Sequence, residues 1–113
     1  MEEGIAILRN YKDLLQNLHW MTAKDYARHK LYERLMNDIP DILDRYVEVF
    51  MGSRGIPLNV EAIKTDIEYD GEIRDFVVDA KQKFSIMLVS AKESELNILG
   101  DILEMFDEHL YLL

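Results

Sequence analysis

The amino-acid sequence predicts an all-α protein, folded as one domain over residues 1–113: a four-helix bundle with a long crossover between the second and third helices. Two observations support this class. Helical periodicity dominates the chain, and only two prolines and five glycines interrupt it. No segment shows the alternation of apolar and polar residues that is typical of a strand. With 113 residues, of which 49% are hydrophobic, the chain is large enough to bury a core.

The first two helices are expected to form an antiparallel hairpin. Helical spacing of apolar residues predicts the first helix from about Glu3 to Met21. The stretch Thr22–Asp25 has the pattern of a capping box, which predicts a second helix from about Ala23 to Met51. Pro40 lies inside that helix and is expected to kink it, because proline has no backbone N–H to donate. The residues expected to face the core are Leu8, Tyr11, Leu15 and Leu18 on the first helix and Tyr32, Leu35, Ile39, Leu43, Tyr46 and Phe50 on the second.

A long crossover is expected to join this hairpin to a second one. The run Gly52–Pro57 ends the second helix, and the crossover continues to about Gly71 with one short helix over Asn59–Lys64, capped by its first residue. The third helix is predicted from about Glu72 to Lys92, and Ser94 is expected to cap the fourth. Two hairpins joined end to end in this way have the topology of ferritin-like bundles. The residues expected to face the core are Ile73, Phe76, Val77, Ala80, Phe84, Met87 and Leu88 on the third helix and Leu96, Leu99, Ile102, Leu103, Phe106 and Leu110 on the fourth.

The composition limits the partners and the chemistry. A net charge of −9 and the lack of a basic tail argue against nucleic acid, so DNA binding is not expected. Because the chain contains no cysteine, only nitrogen and oxygen atoms remain as strong metal ligands. The apolar runs are too short to span a membrane, and the N-terminal residues lack the pattern of a signal peptide. We therefore expect a cytoplasmic protein without membrane contacts.

Five potential metal ligands lie close together in the first half of the chain: His19, His29, Glu33, Asp44 and Glu48. At about 100° per residue, the last three lie roughly 40°, 60° and 100° around the second helix from His29, so four of the five share one face. Imidazole together with carboxylate suits iron, zinc or manganese better than calcium or magnesium. The pattern therefore predicts a transition-metal site.

A single helix cannot assemble that site alone. Glu33 and Asp44 are separated by about 16 Å along the helix axis, whereas metal–ligand bonds are about 2 Å long. If a second copy of the helix packs antiparallel about a two-fold axis near Ile39, Glu33 approaches the partner's Asp44 and His29 approaches the partner's Glu48. The prediction is therefore a homo-oligomer with two equivalent sites per dimer.

Each candidate ligand also has an ordinary explanation. A histidine near the end of an amphipathic helix is usually a packing or surface residue. Carboxylates spaced four residues apart, such as Asp44 and Glu48, usually form a solvated face, and His29 with Glu33 is an equally ordinary pair. Outside these five, His109 is expected to be a partly exposed structural histidine, and the acidic residues around it to form a solvated surface.

Three segments resemble the ferroxidase signature of the Dps miniferritins: Leu18-His19-Trp20, His29 with Glu33, and Asp44 with Glu48. The C-terminal Ile102-Leu103 and His109-Leu110-Tyr111 also resemble the last helix of that family. The resemblance implies a ferritin-like bundle that assembles, often as a hollow dodecamer, and oxidises Fe(II) with peroxide or oxygen. It implies that the first three ligands come from one subunit and the last two from its two-fold mate. Trp20 would then lie beside the site, or pack between helices.

Two functions are therefore weighed. The leading hypothesis is a ferroxidase that binds iron between subunits, to which the resemblance adds iron storage and protection against oxidative stress. The alternative is a non-catalytic helical bundle that acts as an oligomeric scaffold or interaction protein and retains a relic metal site. The alternative is motivated by a chain shorter than typical members of the family and by Pro40 beside the expected two-fold axis.

Overall fold

The computed structural model describes residues 1–65 and 69–113. In these residues the chain is helical and contains no strand, which confirms the predicted all-α class. Five α-helices form in this part of the chain: α1 (Glu2–Met21), α2 (Tyr26–Asn37), α3 (Ile39–Arg54), α4 (Ile73–Met87) and α5 (Glu93–Leu112). Two short 3-10 helices, Val60–Ala62 and Leu88–Ser90, accompany them.

The turn between α1 and α2 differs from the predicted capping box. Thr22 closes α1 instead of opening α2, and its hydroxyl donates to the carbonyl oxygen of Leu18 at 2.7 Å. Asp25 is the residue that caps α2, because its carboxylate accepts the backbone N–H of Arg28 at 3.3 Å. An aspartate is favoured there, since its negative charge faces the positive end of the helix dipole.

The predicted second helix is interrupted at Asp38 and forms the two helices α2 and α3. Pro40 explains the interruption, because it lacks the N–H that would bond to the carbonyl of Met36 and its ring crowds that carbonyl. Asp38 keeps helical backbone angles, φ −73° and ψ −17°, so the chain passes from α2 to α3 without a loop. The expected disturbance at Pro40 is confirmed, whereas the expectation of one continuous helix is wrong.

The crossover between α3 and α4 contains less helix than predicted. α3 ends at Arg54 and is capped by Gly55, whose φ of 63° is the left-handed conformation that glycine adopts readily. The helix expected over Asn59–Lys64 is only a 3-10 turn over Val60–Ala62, and within the described residues Asn59 makes no capping side-chain bond. Part of the predicted crossover falls on residues 66–68, which lie outside the described residues.

The connection between the two helices of the second hairpin is longer than predicted. α4 ends at Met87 and a 3-10 turn over Leu88–Ser90 follows, whereas the sequence predicted α-helix as far as Lys92. α5 is capped at Lys92 rather than at Ser94. The reason is that Glu95 turns back and accepts the Lys92 N–H at 2.9 Å, as the acidic partner of a capping box does.

α3 and α5 run antiparallel along their length. Arg54 contacts Glu95 at 2.9 Å near the end of α3, and Asp38 contacts His109 at 2.8 Å near its start. Tyr11, halfway along α1, bonds to the same histidine. The α2–α3 junction, the middle of α1 and the last turns of α5 therefore meet at one level of the bundle.

α1 runs in the same direction as α5, and α4 in the same direction as α3. The Tyr46 hydroxyl on α3 donates to the carbonyl of Met1 at 3.3 Å and lies 3.8 Å from the sulfur of Met87. At the other end of α4, Arg74 donates to the carbonyl of Leu110 at 2.8 Å. The long helices thus form two antiparallel pairs, α1 with α3 and α4 with α5, and the crossover joins two parallel members.

The core lies between α1, α3, α4 and α5. Its largest fully buried side chains are Tyr11, Tyr46, Phe84 and Phe106, and α2 adds only Leu35. No residue from Gln16 to Arg34 is fully buried. The C-terminal part of α1 and most of α2 therefore form a hairpin at the edge of the core, here called the α1–α2 hairpin. In the described part of the chain, no helix combines the length and hydropathy needed to cross a bilayer.

Candidate metal centre

His19 and His29 are held against each other in the α1–α2 hairpin. Their ring centroids are 3.8 Å apart and the ring planes are inclined by 18°. Nδ1 of His19 lies 2.9 Å from the carbonyl oxygen of His29, and Nδ1 of His29 lies 2.6 Å from the carbonyl oxygen of His19. The structure thus brings the two predicted imidazole ligands together through reciprocal hydrogen bonds, an arrangement we call the histidine clasp.

The histidine clasp determines which ring nitrogen can bind a metal. A carbonyl oxygen only accepts, so Nδ1 of each ring carries the proton and donates it. In the neutral imidazole the other nitrogen, Nε2, then holds the lone pair. Metal-binding histidines use this arrangement, because the bond to the carbonyl fixes the tautomer and orients the ring. The clasp therefore presents two Nε2 atoms in the form that a metal requires.

Glu33 lies one turn after His29 on α2. Nζ of Lys30 contacts its Oε2 at 3.1 Å. This ion pair lowers the pKa of the Glu33 carboxyl, and His19 and His29 add a smaller effect in the same direction. The pair is exposed to solvent, so a divalent cation would compete with Lys30 for the carboxylate. Three of the five predicted ligands therefore belong to the α1–α2 hairpin, but their side chains do not converge on one metal position.

Asp44 and Glu48 lie on α3, beyond the interruption that follows α2, and both are exposed. Asp44 and Lys12 both line a groove of about 550 Å³ between α1 and α3. Lys12 precedes His19 on α1 by about 10 Å along the helix axis. In the described part of the chain, no three His, Asp or Glu side chains converge as metal ligands. A complete site of the predicted composition would need carboxylates from another chain.

Exposed apolar side chains lie close to the clasp histidines along the chain. Trp20, Met21 and Tyr26 are 62%, 79% and 73% exposed. Trp20 therefore does not pack between helices of its own chain, which was one of its two expected roles. It lies directly beside His19 in the chain, at the end of α1. Large exposed apolar groups next to a candidate site mark a surface suited to a partner.

A buried polar chain that the sequence did not predict links α1, α5 and the α2–α3 junction. The hydroxyl of Tyr11 lies 2.6 Å from Nδ1 of His109, and Nε2 of His109 lies 2.8 Å from Oδ2 of Asp38. Tyr11 and His109 are fully buried, so the expectation of a partly exposed His109 is wrong. Burial lowers the pKa of His109, while the Asp38 carboxylate acts in the opposite direction. Burial also raises the pKa of the Tyr11 phenol.

A sequence signal for this polar chain exists in the spacing of α5. Leu99, Ile102 and Phe106 are buried, and His109 continues their alternating intervals of three and four residues. A polar residue at such a position needs a buried partner, and Tyr11 is itself predicted to face the core. Their pairing depends on how α1 packs against α5, which periodicity within one helix does not specify.

A second buried polar cluster joins the end of α3 to the start of α5. Arg54 donates two hydrogen bonds to the fully buried carboxylate of Glu95, at 2.9 and 3.0 Å. The Ser53 hydroxyl and the Lys92 N–H donate to the same carboxylate. Arg54 is the main reason why the pKa of Glu95 is lowered to about 2. Because its charge is neutralised by Arg54, this carboxylate stabilises the fold and is not a candidate ligand.

Comparison with known proteins places the chain in a family without giving it a function. It is 32% identical over 54 residues to a protein of Enterobacteria phage T4, described as "Uncharacterized 14.6 kDa protein in mobD-ri intergenic region". This match covers 48% of the chain and 41% of the phage protein, so the chain spans less than half of that relative. No solved structure matches the chain. Residues 19–113, which include both clasp histidines, match the "Family of unknown function (DUF5856)". The chain therefore belongs to the DUF5856 family.

Proposed function

We propose that this chain is a ferritin-like iron-binding protein, related to the Dps miniferritins, that oxidises Fe(II) at sites completed by a second copy of the chain. The single observation that carries the proposal is the histidine clasp. It orients both rings so that Nδ1 donates to a carbonyl oxygen and Nε2 is left to bind a metal, and Glu33 lies one turn after His29 on α2.

The directions of the helices also support a ferritin-like arrangement. α1 and α5 run one way, α3 and α4 run the other way, and a long crossover joins the two parallel helices. This is the connectivity of two antiparallel hairpins linked end to end, which characterises ferritin-like bundles. In that class of bundle, metal ligands project inward from the long helices. The predicted ligands of this chain instead lie outside the buried core, so the proposed sites are placed between copies of the chain.

The remaining ligands of each proposed site are the partner's Asp44 and Glu48. In the single chain both carboxylates are exposed on α3 and apart from the histidine clasp. Ile39, next to the expected two-fold axis, is fully buried in its own core. The contact between copies would therefore be made by its exposed neighbours, Asn37 and Pro40.

The proposed reaction takes one electron from each of two Fe(II) ions. One hydrogen peroxide molecule accepts both electrons and two protons, its O–O bond breaks, and two water molecules form. In this scheme His19 and His29 bind Fe(II) through Nε2, and the carboxylates favour the more highly charged Fe(III) product. Storage of the ferric product inside a dodecameric shell is a further part of the proposal and depends on the assembly.

Stopped-flow oxidation of Fe(II) by peroxide tests this proposal. The double variant Asp44→Asn/Glu48→Gln removes two exposed charges and should leave the fold intact. We expect oxidation to slow by at least about tenfold, because metal sites lose that much when even supporting groups are changed. The matched control is Glu104→Gln, an exposed glutamate on α5, which should oxidise Fe(II) at the wild-type rate. Equal rates in the double variant and the wild type would overturn the proposed site.

One observation favours the alternative of an oligomeric scaffold. Trp20, Met21 and Tyr26 expose a large apolar surface, which would suit an interface whether or not metal binds. Native mass and metal content, measured on the same preparation after incubation with Fe(II), distinguish the two functions. An oligomer without bound iron and without oxidase activity would support the scaffold, and an oligomer that takes up iron would support the ferroxidase.

A further inference from the structure

The phenol of Tyr11 cannot meet a substrate directly, because its side chain is fully buried. It stacks on Phe76 with a centroid distance of 5.7 Å, and Phe106 and His109 flank it at 5.8 and 5.6 Å. Any chemistry at this group must therefore move electrons and protons through the protein. Its hydroxyl makes one short hydrogen bond, of 2.6 Å, to Nδ1 of His109.

Asp38 determines which atom donates each hydrogen bond in the Tyr11–His109–Asp38 chain. Its carboxylate accepts, so Nε2 of His109 carries a proton and donates it at 2.8 Å. In the neutral imidazole Nδ1 then holds the lone pair, and the Tyr11 hydroxyl donates to it. The side chain of Asp38 is 43% exposed, so this end of the polar chain reaches water. A proton leaving Tyr11 thus has a base at hydrogen-bond distance and a route to solvent.

This arrangement is what the one-electron oxidation of a buried phenol requires. Removing an electron from tyrosine makes its O–H strongly acidic, and in a dry core the proton can leave only to a neighbouring base. We propose that Tyr11 is a redox-active tyrosine, which gives one electron to an oxidant and its phenolic proton to Nδ1 of His109, and recovers the proton from His109 and the electron from a one-electron reductant such as a further Fe(II) ion. Asp38 stabilises the positive charge that His109 then carries.

The identity of the natural oxidant rests on the proposed iron function. Hydrogen peroxide needs two electrons, and a site holding a single Fe(II) supplies only one. Tyr11 would supply the second: the O–O bond breaks, two protons from solvent complete two water molecules, and Fe(III) and a tyrosyl radical remain. The phenolic proton stays on His109. Tyr11 and His19 lie on the same helix, separated by about 12 Å along its axis.

The chain contains a matched control for this proposal. Tyr46 is also fully buried, and burial raises its pKa as it does that of Tyr11. The Tyr46 hydroxyl, however, donates to the carbonyl of Met1 and lies near the sulfur of Met87. Neither group is a base, so Tyr46 has no acceptor for its phenolic proton and should be much harder to oxidise. Both tyrosines are buried, but only Tyr11 has a base as the acceptor of its hydroxyl proton.

Photochemical oxidation tests the proposal without iron. A ruthenium tris-bipyridine sensitiser with persulfate oxidises the folded protein by one electron, and electron paramagnetic resonance records the radicals after freezing. Exposed aromatic residues, among them Trp20, Tyr26 and Tyr111, contribute equally to all samples, so their signals cancel in difference spectra. We expect a tyrosyl signal in the wild type and in Tyr46→Phe, and a loss of at least about tenfold of that component in Tyr11→Phe.

His109→Gln provides the second variant, because the glutamine amide offers a donor for Asp38 and an acceptor for Tyr11 but is not a base near neutral pH. We expect the Tyr11 signal to be lost there as well, while circular dichroism shows an intact fold. A signal that is unchanged in Tyr11→Phe, or that survives fully in His109→Gln, would overturn the proposal.

Addition of peroxide to protein loaded with one Fe(II) per chain separates this proposal from the iron function. A Tyr11-dependent radical in that sample supports both. A Tyr11-dependent radical with the photochemical oxidant but none with iron and peroxide supports the redox-active tyrosine and counts against the iron reaction as its oxidant.

Discussion

The hydroxyl of Tyr11 donates a 2.6 Å hydrogen bond to Nδ1 of His109, in the middle of the core and 98 residues away along the chain. The opposite nitrogen of the same ring contacts Asp38 at the α2–α3 junction. One imidazole therefore joins α1, α5 and the point where Pro40 interrupts the second long helix. A neutral ring satisfies both neighbours at once, as a donor to Asp38 and an acceptor from Tyr11.

Stability should depend on pH through His109. Burial lowers the pKa of this residue below its ordinary value of 6.5, so the unfolded chain takes up the proton first as pH falls. The stabilisation is therefore complete above about pH 6.5 and is lost as pH falls towards the folded-state pKa. Urea unfolding at a series of pH values should show this decline. In His109→Gln, which keeps the hydrogen bonds and cannot titrate, the decline over this interval should be absent.

The Tyr11 hydroxyl itself should contribute measurably to folding. Tyr11→Phe keeps the ring among Phe76 and Phe106 but leaves the buried Nδ1 of His109 without its donor. We expect a loss of about 1–3 kcal/mol in the free energy of unfolding, the usual cost of an unsatisfied buried polar atom. A value near zero, obtained from urea titrations at pH 7, would mean that Nδ1 finds another partner.

Two ion pairs join α3 to α5, and their burial should decide their contributions. Glu95 is fully buried beneath Arg54, whereas Asp101 and Arg45 form an exposed pair at 3.0 Å. Glu95→Ala leaves Arg54, the Ser53 hydroxyl and the Lys92 N–H without their acceptor. We therefore expect a loss of about 2–4 kcal/mol in the free energy of unfolding. Asp101→Ala should cost at most about 1 kcal/mol.

The decrease in the free energy of unfolding at acidic pH should depend on Glu95. Its pKa is lowered to about 2 from an ordinary value of 4.5, so its stabilisation is present above pH 4.5 and is lost as pH falls towards 2. This pH interval lies below the one in which His109 loses its stabilising contribution.

Similar losses in the free energy of unfolding for Glu95→Ala and Asp101→Ala, both measured by urea unfolding, would contradict the assigned burial of the Glu95 ion pair.

Two helical glycines should respond in opposite ways to alanine. A Cβ added at Gly4 would lie 2.6 Å from Cζ of Tyr46, whose fully buried ring cannot move aside. Gly4→Ala should therefore destabilise the protein by about 1–3 kcal/mol. Gly100 on α5 has nothing within 4 Å of the same position. Gly100→Ala should stabilise by about 0.5–1 kcal/mol, the helix propensity difference. Thermal unfolding of both variants gives the two signs, and a stabilised Gly4→Ala would show that Tyr46 does move.

The sequence predicts the buried face of a helix correctly where the spacing of apolar residues within that helix is enough to define it. Leu8, Tyr11 and Leu15 on α1 are buried as predicted, because their spacing alone aligns them. Leu96, predicted to face the core, is 44% exposed, and Glu95 is buried in its place. The reason lies outside α5: Arg54 and Ser53 at the end of α3 receive the Glu95 carboxylate.

The candidate site shows the same limit. Helical spacing placed His29 and Glu33 on neighbouring turns, but it did not predict that His19 and His29 would bond to each other's carbonyls. That clasp depends on the turn between α1 and α2, where Asp25 rather than Thr22 supplies the cap. Contacts that join two helices, in the clasp and in the Tyr11–His109–Asp38 chain, were the ones that periodicity could not supply.

Mixed oligomers should show whether the proposed metal site is shared between copies. His29→Ala and Asp44→Ala chains should each oxidise Fe(II) slowly, and the double variant His29→Ala/Asp44→Ala should be equally slow. In a dimer of one chain of each kind, both changes fall in one site and the other site is wholly wild-type. Random mixing of equal amounts should thus restore roughly a quarter of the wild-type rate, since half of the dimers are mixed and each holds one intact site. A mixture of His19→Ala and His29→Ala chains is the matched control, because those changes disable both sites of every dimer. Recovery in that control, or none in the first mixture, would mean that histidines and carboxylates do not meet across a two-fold interface.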